Sequence, residues 1–269
     1  MELIVREPAV AGMFYPEDRL QLEAEVMACL QSNPSQNQLS APLNPRCPKA
    51  LIVPHAGYVY SGGVAARAYN LLRPCADRIR RVVLLGPAHR VPLQGMALPG
   101  CDQFSTPLGL VTIDQQAVAQ LRDCAEVQEY PLAHAQEHSL EVQLPFLQTL
   151  LGEFTLIPIV VGHCRSEVVA EVLECLWGGE ETLIVISTDL SHFHAYQDAQ
   201  HLDRSTSELI CQLQEPLMGE QACGCYPLNG LLRELKYRQM NVELLELKNS
   251  GDTVGSRDRV VGYGAYAAF

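Results

Sequence analysis

The sequence predicts an α/β fold in which strands and helices form layers. One observation is a set of short apolar runs, typical of strands buried on both faces of a sheet; the clearest lie at 50–53, 81–85, 154–161 and 182–187. A second is that segments with helical spacing separate these runs, an alternation typical of layered α/β proteins. A third is that polar residues follow the apolar runs directly, as they do where a sheet carries a ligand site at its strand ends.

Composition favours one domain. Hydrophobic residues make up 48% of the 269 residues, which is enough for a sizeable core, and charged residues make up 19%, which argues against disorder. No long polar or low-complexity stretch marks a boundary, so we predict a single domain over residues 1–269 that folds alone.

Charge and hydropathy exclude two classes of partner. The formal net charge of −12 argues against a nucleic-acid-binding protein, because binding to the phosphate backbone depends on clustered Lys and Arg. No uncharged apolar run approaches the length of a membrane span, so no membrane association is predicted. The segment 1–7 lacks the charged start and long apolar core of a signal peptide, and we therefore expect a cytoplasmic protein.

The first predicted elements lead to two buried strands. Apolar residues at helical spacing predict a helix from Pro16 to about Leu30. A loop rich in Ser, Asn, Gln and Pro is expected at 31–47, before the strand at 50–53. The segment 62–72 is predicted to form a helix that leads to the strand at 81–85.

The rest of the chain alternates in the same way. The Pro and Gly residues of 91–113 predict loops and short strands. Asp114 is expected to cap a helix that ends near Cys124. Glu137 is predicted to begin a helix with leucines at helical spacing as far as Leu151. The remaining predicted elements are helices at 166–177, at 198–213 and from Pro227 to about Tyr237, and strands at 154–161, 182–187, 240–247 and 260–269.

The ten cysteines are spread irregularly from Cys29 to Cys225, so we predict that most are buried thiols and not a disulfide framework. Cys223-Gly224-Cys225 forms a C-x-C motif. Alone, this motif is a weak signature of redox or zinc chemistry.

Five polar residues are candidates for a functional site. His55, His89, Asp189 and His192 follow predicted strands, and His138 lies at a predicted helix start. A single histidine is more often a hydrogen-bonded structural residue than a ligand. Several at one edge of an open sheet predict a site, because ligand sites gather at the carboxyl ends of strands.

The residue types point to a metal. Two neutral imidazoles and one anionic ligand, with coordination positions left open, suit Fe(II), copper or zinc and leave room for a substrate. The anionic ligand could be Asp189, Glu137 or a cysteine thiolate, and the spacing along the chain does not choose among them.

Several segments, in order along nearly the whole chain, closely resemble the Memo family, which in bacteria and archaea is also called AmmeMemoRadiSam system protein B. The internal segments are 54–62, 86–89, 137–145, 187–192 and 223–227, and the terminal ones are 6–15 and 262–265. That family is similar in fold to the LigB-like extradiol dioxygenases. The resemblance therefore implies a central mixed β-sheet flanked by helices, a LigB-like dioxygenase fold.

The resemblance also implies roles for individual residues. The LigB-like enzymes hold non-haem iron with two histidines and a carboxylate; here His55 and His89 would be metal ligands and Cys223 would stand in the place of the carboxylate. His192 matches the acid/base histidine of those enzymes, with Asp189 beside it as a second catalytic candidate. The residues expected to bind substrate or to line the entrance are Phe14, Tyr58, Tyr60 and His138.

The thiol in place of a carboxylate changes the expected chemistry. A thiolate is a softer ligand, so it shifts preference toward copper or zinc and is more easily oxidised. Arg90 follows His89 where some relatives have a second histidine, and Phe14 stands where the animal protein has Trp. Cys225 occupies a variable position and could form a redox pair with Cys223.

Three functions are compatible with this pattern. The first is a metal-dependent redox protein that uses iron or copper on an unknown small molecule. The second is a non-catalytic module that binds a phosphotyrosine-type peptide in the same pocket, as the animal relatives suggest, with Arg90 as the adjacent cation. The third is a metallohydrolase, if the metal is zinc. The family label further suggests radical SAM and AMMECR-type proteins as partners.

Overall fold

The structure is a computed structural model that describes residues 3–32, 46–124 and 126–269. Most of the predicted loop 31–47 lies outside these ranges. Within them, the strands are β1 (Val5–Arg6), β2 (Ala50–Val53), β3 (Arg81–Pro87), β4 (Met96–Leu98), β5 (Gln103–Thr106), β6 (Gly109–Ile113), β7 (Val127–Glu129), β8 (Thr155–Val161), β9 (Thr182–Ser187), β10 (His192–His194), β11 (Val242–Asn249) and β12 (Val260–Ala268).

The helices separate the longer strands. They are α1 (Arg19–Gln31), α2 (Tyr58–Tyr69), α3 (Gln115–Leu121), α4 (Pro131–Ala135), α5 (Leu144–Leu150), α6 (Ser166–Leu176), α7 (Tyr196–Cys211) and α8 (Cys225–Tyr237). Short 3₁₀ helices lie at Asn70–Cys75, Glu141–Gln143 and Ser250–Asp252. No helix in these parts of the chain has the length and apolar character that a membrane crossing requires.

One mixed sheet contains the strands. Its main order is β1-β5-β6-β8-β3-β9-β2-β12-β10, with β11 on β12 and with β4 between β7 and β8. The four central strands, β8-β3-β9-β2, run parallel to one another, whereas β12 is antiparallel to β2 and β4 is antiparallel to β8. The predicted α/β fold with a central mixed sheet flanked by helices is confirmed.

The central strands are buried because their residues are apolar on both faces. Every residue of β2 and β9 is buried, and so are six of the seven residues of β3. Since β2, β9 and β3 are parallel neighbours, their carboxyl ends meet at one edge of the sheet. This edge carries the residues that follow each strand, and the packing of the core therefore determines where the polar side chains lie.

One predicted helix start is wrong. Glu137 does not begin a helix: the 3₁₀ turn starts at Glu141, and α5 starts at Leu144. The Glu137 carboxylate accepts hydrogen bonds from the backbone N–H groups of His138 and Ser139, and such local bonds compete with helix formation. The two- and three-residue strands β1, β7 and β10 were not predicted, because so few residues carry no periodic pattern.

The prediction that most cysteines are buried thiols is only partly correct. Cys47 and Cys75 form a disulfide that joins the residues before β2 to the 3₁₀ helix after α2. Among the free thiols, those of Cys101, Cys164 and Cys225 are buried, and the others are partly or fully exposed.

A glycine in β3 allows the segment that contains Ser139 and Leu140 to lie close against the sheet. A Cβ atom at Gly86 would lie 2.7 Å from Ser139 Oγ and 2.9 Å from Leu140 Cδ2. We expect Gly86→Ala to lower the free energy of unfolding by about 1–3 kcal/mol, because the added methyl group overpacks this contact. Gly63→Ala is the matched control, since a Cβ there meets open space. Equal urea midpoints for the two variants would contradict the close approach.

Candidate functional site

A cleft of about 640 Å³ lies at the carboxyl edge of the central strands. All predicted site residues except Cys223 and Tyr58 are on its wall; those present are Phe14, His55, Tyr60, His89, His138, Asp189 and His192. The edge of the sheet thus brings together side chains that are far apart in sequence. His55, His89 and Asp189 reach the cleft from strand ends, as the apolar runs predict.

Three histidines form a compact group in this cleft. Each of His55, His89 and His138 offers one ligand nitrogen, and these atoms all lie within 4.8 Å of one another. The ring centroids are 5.1 Å apart for His55 and His89, 5.4 Å for His55 and His138, and 4.8 Å for His89 and His138. The group has the size of a metal-binding site, and imidazole nitrogens suit zinc, copper and iron.

Hydrogen bonds determine which nitrogen of His55 carries the proton. Its Nδ1 lies 2.9 Å from Ser187 Oγ, and that hydroxyl donates its only hydrogen to the Ser139 carbonyl at 2.6 Å. The hydroxyl can therefore only accept from His55, so Nδ1 is the donor. Nε2 therefore carries the lone pair; it lies 3.3 Å from Cys223 Sγ and is the nitrogen that can bind a metal. The His55 backbone N–H donates to Asp189 Oδ1 at 2.8 Å, which fixes the turn after β2.

A buried chain of side chains holds this arrangement. Gln143 Nε2 donates both to Ser187 Oγ and to the Pro54 carbonyl, at 2.9 Å each. The Tyr69 hydroxyl donates to Gln143 Oε1 at 2.9 Å, so the amide has only one orientation that satisfies its partners. Burial lowers the pKa of His55 well below its usual range, with His89 and His138 nearby contributing further, and the ring is neutral at pH 7.

His89 is oriented by a buried carboxylate. Glu137 accepts the His89 backbone N–H at 2.6 Å and lies 2.9 Å from His89 Nδ1, so Nδ1 donates and Nε2 is left available. Burial alone would raise the pKa of Glu137, but the hydrogen bonds and charge of His89 and the backbone N–H of Ser139 lower it to about 2. Glu137 was an open candidate for the anionic metal ligand; its contacts are those of a carboxylate that orients a ligand.

His138 has an unpartnered ring nitrogen. Its Nδ1 is buried and lies 3.3 Å from Glu137 Oε1 without forming a hydrogen bond to any described group. The ring packs against Phe14, with centroids 4.7 Å apart. Burial, with His89 and Arg90 adding to it against the opposing charge of Glu137, lowers the pKa of His138 to about 4. A neutral imidazole with an unsatisfied nitrogen is suited to a metal or a ligand.

Cys223 lies beside His55 but is not part of the three-histidine group. Its Sγ is 3.3 Å from His55 Nε2 and accepts the Asp189 backbone N–H, also at 3.3 Å. Burial, and then the nearby Asp189 carboxyl, raise the pKa of this thiol. Cys225 is a buried free thiol at the start of α8, where the C-x-C motif ends.

Asp189 and His192 follow β9 at the edge of the cleft. Burial raises the pKa of Asp189 to about 7, although hydrogen bonds from the turn after β2 oppose this. His192 Nδ1 lies 2.9 Å from the Leu190 carbonyl, which can only accept, so Nδ1 carries the hydrogen and Nε2 is a free base in the neutral ring. Burial lowers the pKa of His192 below its usual range.

Tyr60 is on the wall of the cleft, but Tyr58 is not. The Tyr58 ring packs between Tyr15 and Phe146, and its hydroxyl donates to the Val142 carbonyl at 2.6 Å. The expectation that Tyr58 lines the entrance is therefore corrected. The reason is helical geometry: α2 begins at Tyr58, and residues two positions apart in a helix point to nearly opposite sides.

A buried ion pair that the sequence did not suggest fastens the histidine-bearing segment to the N-terminal strand. Arg6 in β1 pairs with Glu141 and also donates to the His134 and Glu137 carbonyls. Glu141 accepts the Tyr15 hydroxyl in addition, as well as two backbone N–H groups of the same N-terminal segment. Arg6 and Glu141 lie within segments of the noted resemblance, but nothing in their spacing marks them as partners.

Comparison with known proteins finds relatives that match nearly the whole chain. The family model described as Memo-like protein matches residues 6–267. A MEMO1 family protein of Methanopyrus kandleri is 35% identical over 276 residues, covering 97% of this chain and 97% of its own. One of Aquifex aeolicus is 35% identical over 285 residues, covering 96% and 97%. A solved structure of an uncharacterized protein from Escherichia coli gives a TM-score of 0.49 at 12% identity, covering 81% of this chain and 99% of that chain.

Removal of the Glu141 charge tests the ion pair. Glu141→Gln is expected to lower the free energy of unfolding by about 3–5 kcal/mol, because the Arg6 guanidinium is then left buried without an anion. The measurement is urea denaturation followed by circular dichroism. Glu180→Gln, in an exposed pair with Arg78, serves as control and should cost less than about 1 kcal/mol. Similar costs for both variants would contradict the anchoring role.

Proposed function

The chain belongs to the Memo family, and we propose that its cleft is a metal centre for redox chemistry on a small organic molecule. The observation that carries this proposal is the group of His55, His89 and His138, whose ligand nitrogens all lie within 4.8 Å of one another. The proposed metal is iron or copper, in keeping with the resemblance to the LigB-like dioxygenases. The substrate itself is not identified by the site.

The chemistry of the donors fits a transition metal. Metal binding requires an unprotonated imidazole nitrogen, and the low pKa values of His55 and His138 supply it at neutral pH. The hydrogen bonds at Nδ1 of His55 and His89 leave Nε2 of both rings for the metal. His138 supplies a third imidazole, with one ligand nitrogen within 4.8 Å of those of His55 and His89.

Cys223 is the proposed anionic ligand. A metal on the Nε2 lone pair of His55 would occupy the space next to the sulfur, which now lies 3.3 Å from that nitrogen. A thiolate beside neutral imidazoles also offsets part of the metal charge in a buried place. Two ligand sets are therefore possible. Both contain His55 and His89, and the third ligand is either His138 or Cys223.

The residues around the metal would hold the substrate and move its proton. A bound iron or copper ion would supply one-electron chemistry. His192 Nε2 faces no hydrogen-bond donor in the described chain, so it can accept a proton from a substrate hydroxyl. Phe14 packs on His138 and shields it from water on that side. Glu137 holds the His89 ring in its orientation throughout.

A metallohydrolase is the second candidate. Three histidines with an open position are also the ligand set of catalytic zinc, which lowers the pKa of bound water. Elemental analysis of anaerobically purified protein distinguishes the two proposals: iron or copper at one equivalent supports redox chemistry, and zinc supports hydrolysis. Association with radical SAM and AMMECR-type proteins is proposed only from the family resemblance.

Measurement of bound metal tests His55 and His89, the two ligands that both possible sets contain. His55→Ala and His89→Ala are expected to lose bound metal, because each removes one of the few donors. His201→Ala, on the exposed surface of α7, is the matched control and should keep it. The measurement is elemental analysis per protein chain. Full metal content in the first two variants would contradict the proposed centre.

A second pair of variants tests the thiol. Cys223→Ser is expected to bind copper more weakly, since a hydroxyl is a poorer ligand than a thiolate for a soft metal. Cys225→Ser replaces the neighbouring buried thiol and should leave copper affinity unchanged. Copper competition with a chelator provides the affinities. Equal affinities would assign the third ligand to His138 and remove Cys223 from the set.

The orienting carboxylate has its own test. Glu137→Gln is expected to weaken metal binding by about 10–100-fold, because the amide cannot accept all the N–H groups that hold the His89 ring. The same chelator competition measures this change. The exposed Glu180→Gln again provides the control. An unchanged affinity would show that the His89 orientation does not depend on Glu137.

His192 is tested by separating metal binding from turnover. His192→Ala is expected to keep its metal and to lose activity by about 10²–10⁴-fold, as for removal of a general base. Oxygen uptake with catechols is the first assay, and His194→Ala, exposed in the same short strand, is the control. Loss of metal in His192→Ala would instead place His192 among the ligands.

A further inference from the structure

The cleft wall carries two positively charged side chains although the protein as a whole is strongly acidic. The protein carries 31 acidic against 19 basic residues, yet two arginines, Arg90 and Arg259, lie on the cleft wall. Neither forms an ion pair within the described residues. In a strongly acidic protein, two unpaired guanidinium groups at one cleft favour an anionic ligand, since guanidinium binds oxyanions through paired N–H donors.

Arg259 is held in place by an unusual aromatic residue. Its guanidinium carbon lies 5.0 Å from the centroid of the Phe193 ring. Phe193 is 60% exposed and has φ of 63°, a left-handed backbone conformation that is an outlier for a bulky side chain. Such outliers persist where the surrounding structure enforces them, and they cluster at binding sites. The exposed ring therefore serves as a platform under the cation.

The platform is connected to the proposed acid/base residue. Phe193 directly follows His192 in β10, and β10 pairs with β12, where His194 faces Val260. Arg259 precedes Val260, so the cation and His192 belong to the same pair of strands. The pairing shifts register between His192 and His194, as at a bulge. Bulges are common beside binding sites, where they redirect side chains.

The loop that carries Arg259 is held by a capped turn and by contacts of Arg257. The 3₁₀ helix Ser250–Asp252 begins with a capping box formed by Asn249 and Asp252. Arg257 lies over the Tyr196 ring at 4.5 Å and donates to the Gly251 carbonyl at 3.3 Å. Arg257 is thus occupied by contacts within the protein, whereas Arg259, two residues on, lies on the wall of the cleft.

We propose that the cleft takes a small organic molecule with an anionic oxyacid group, a carboxylate or a phosphate, and that Arg259 and Arg90 bind this group. This proposal rests on the proposed function in one respect, since it assumes that the reacting end of the molecule, away from the anionic group, faces the histidines. Arg90 follows His89 after the end of β3, and Arg259 precedes β12, so two different parts of the sheet each place a cation on the wall of the same cleft. The sequence pointed to Arg90 alone; Arg259 becomes visible only in the fold.

Calorimetric titration with three aromatic probes tests the charge requirement. The probes are 4-hydroxybenzoate, phenyl phosphate and the neutral 4-hydroxybenzamide, at fixed ionic strength. We expect both anions to bind at least about tenfold more tightly than the amide, as for a charge-assisted contact. The tighter of the two anions identifies the oxyacid as carboxylate or phosphate. Equal affinity for the anions and the amide would overturn the proposal.

Variants locate the binding site. Arg259→Gln and Arg90→Gln are each expected to weaken anion binding by about tenfold and to leave amide binding unchanged. Arg122→Gln changes the net charge equally but lies in an exposed pair with Glu129, so it should have no effect. Phe193→Ala keeps both charges and is expected to weaken anion binding by less than Arg259→Gln. Identical anion affinities for the first two variants and Arg122→Gln would overturn the proposal.

The titrations are repeated with metal-free and metal-loaded protein, which separates this proposal from the function on which it rests. Anion binding that depends on the arginines in both forms supports the proposal, even if the histidines bind no metal and the proposed redox function fails. Anion binding that requires the metal and ignores the arginines would overturn it. A phosphotyrosine peptide that binds at least tenfold more tightly than phenyl phosphate would replace the small molecule with a peptide.

Discussion

The buried carboxylate of Glu137 is the constraint on which the site depends. It accepts N–H groups from the His89 backbone, the His89 ring, the His138 backbone and the Ser139 backbone. One side chain thereby joins the turn after β3 to the segment that carries His138. Glu137 therefore fixes the backbone that carries His89 and His138, and it also determines which nitrogen of the His89 ring donates. Its charge stays in the interior because every donor around it stabilises the ionised form.

Two further buried contacts keep that carboxylate in position. Arg6 donates to the Glu137 carbonyl and forms an ion pair with Glu141, so β1 is tied to both ends of the same turn. Ser139 lies against Gly86 in β3 and, through its carbonyl, against the Ser187 hydroxyl. Sheet, turn and N-terminal strand thus constrain one another, and rigidity of this kind is what a preorganised ligand group needs.

The sequence predicted much of the fold for a simple reason: apolar runs that fill both faces of a parallel sheet are distinctive. It also placed His55, His89 and Asp189 at strand ends, where the parallel order of β2, β9 and β3 brings them together. Local periodicity could not show that Glu137 would bond its own backbone and so prevent a helix. Nor could it show that Tyr58 turns inward while Tyr60 faces the cleft, since this depends on where α2 begins.

Contacts between residues that are far apart in sequence were the main feature that could not be predicted. Arg259 reaches the cleft only because β12 pairs with β10, and Arg6 meets Glu141 only through the packing of β1.

The order of the strands also has a consequence for folding during synthesis. Strand β2 is flanked by β9 and β12, so a nascent chain that lacks β12 leaves one edge of β2 unpaired. Such non-local pairing forms late and slowly. The wall of the cleft is therefore completed only after Arg259, Val261 and Tyr263, which line it, have been synthesised.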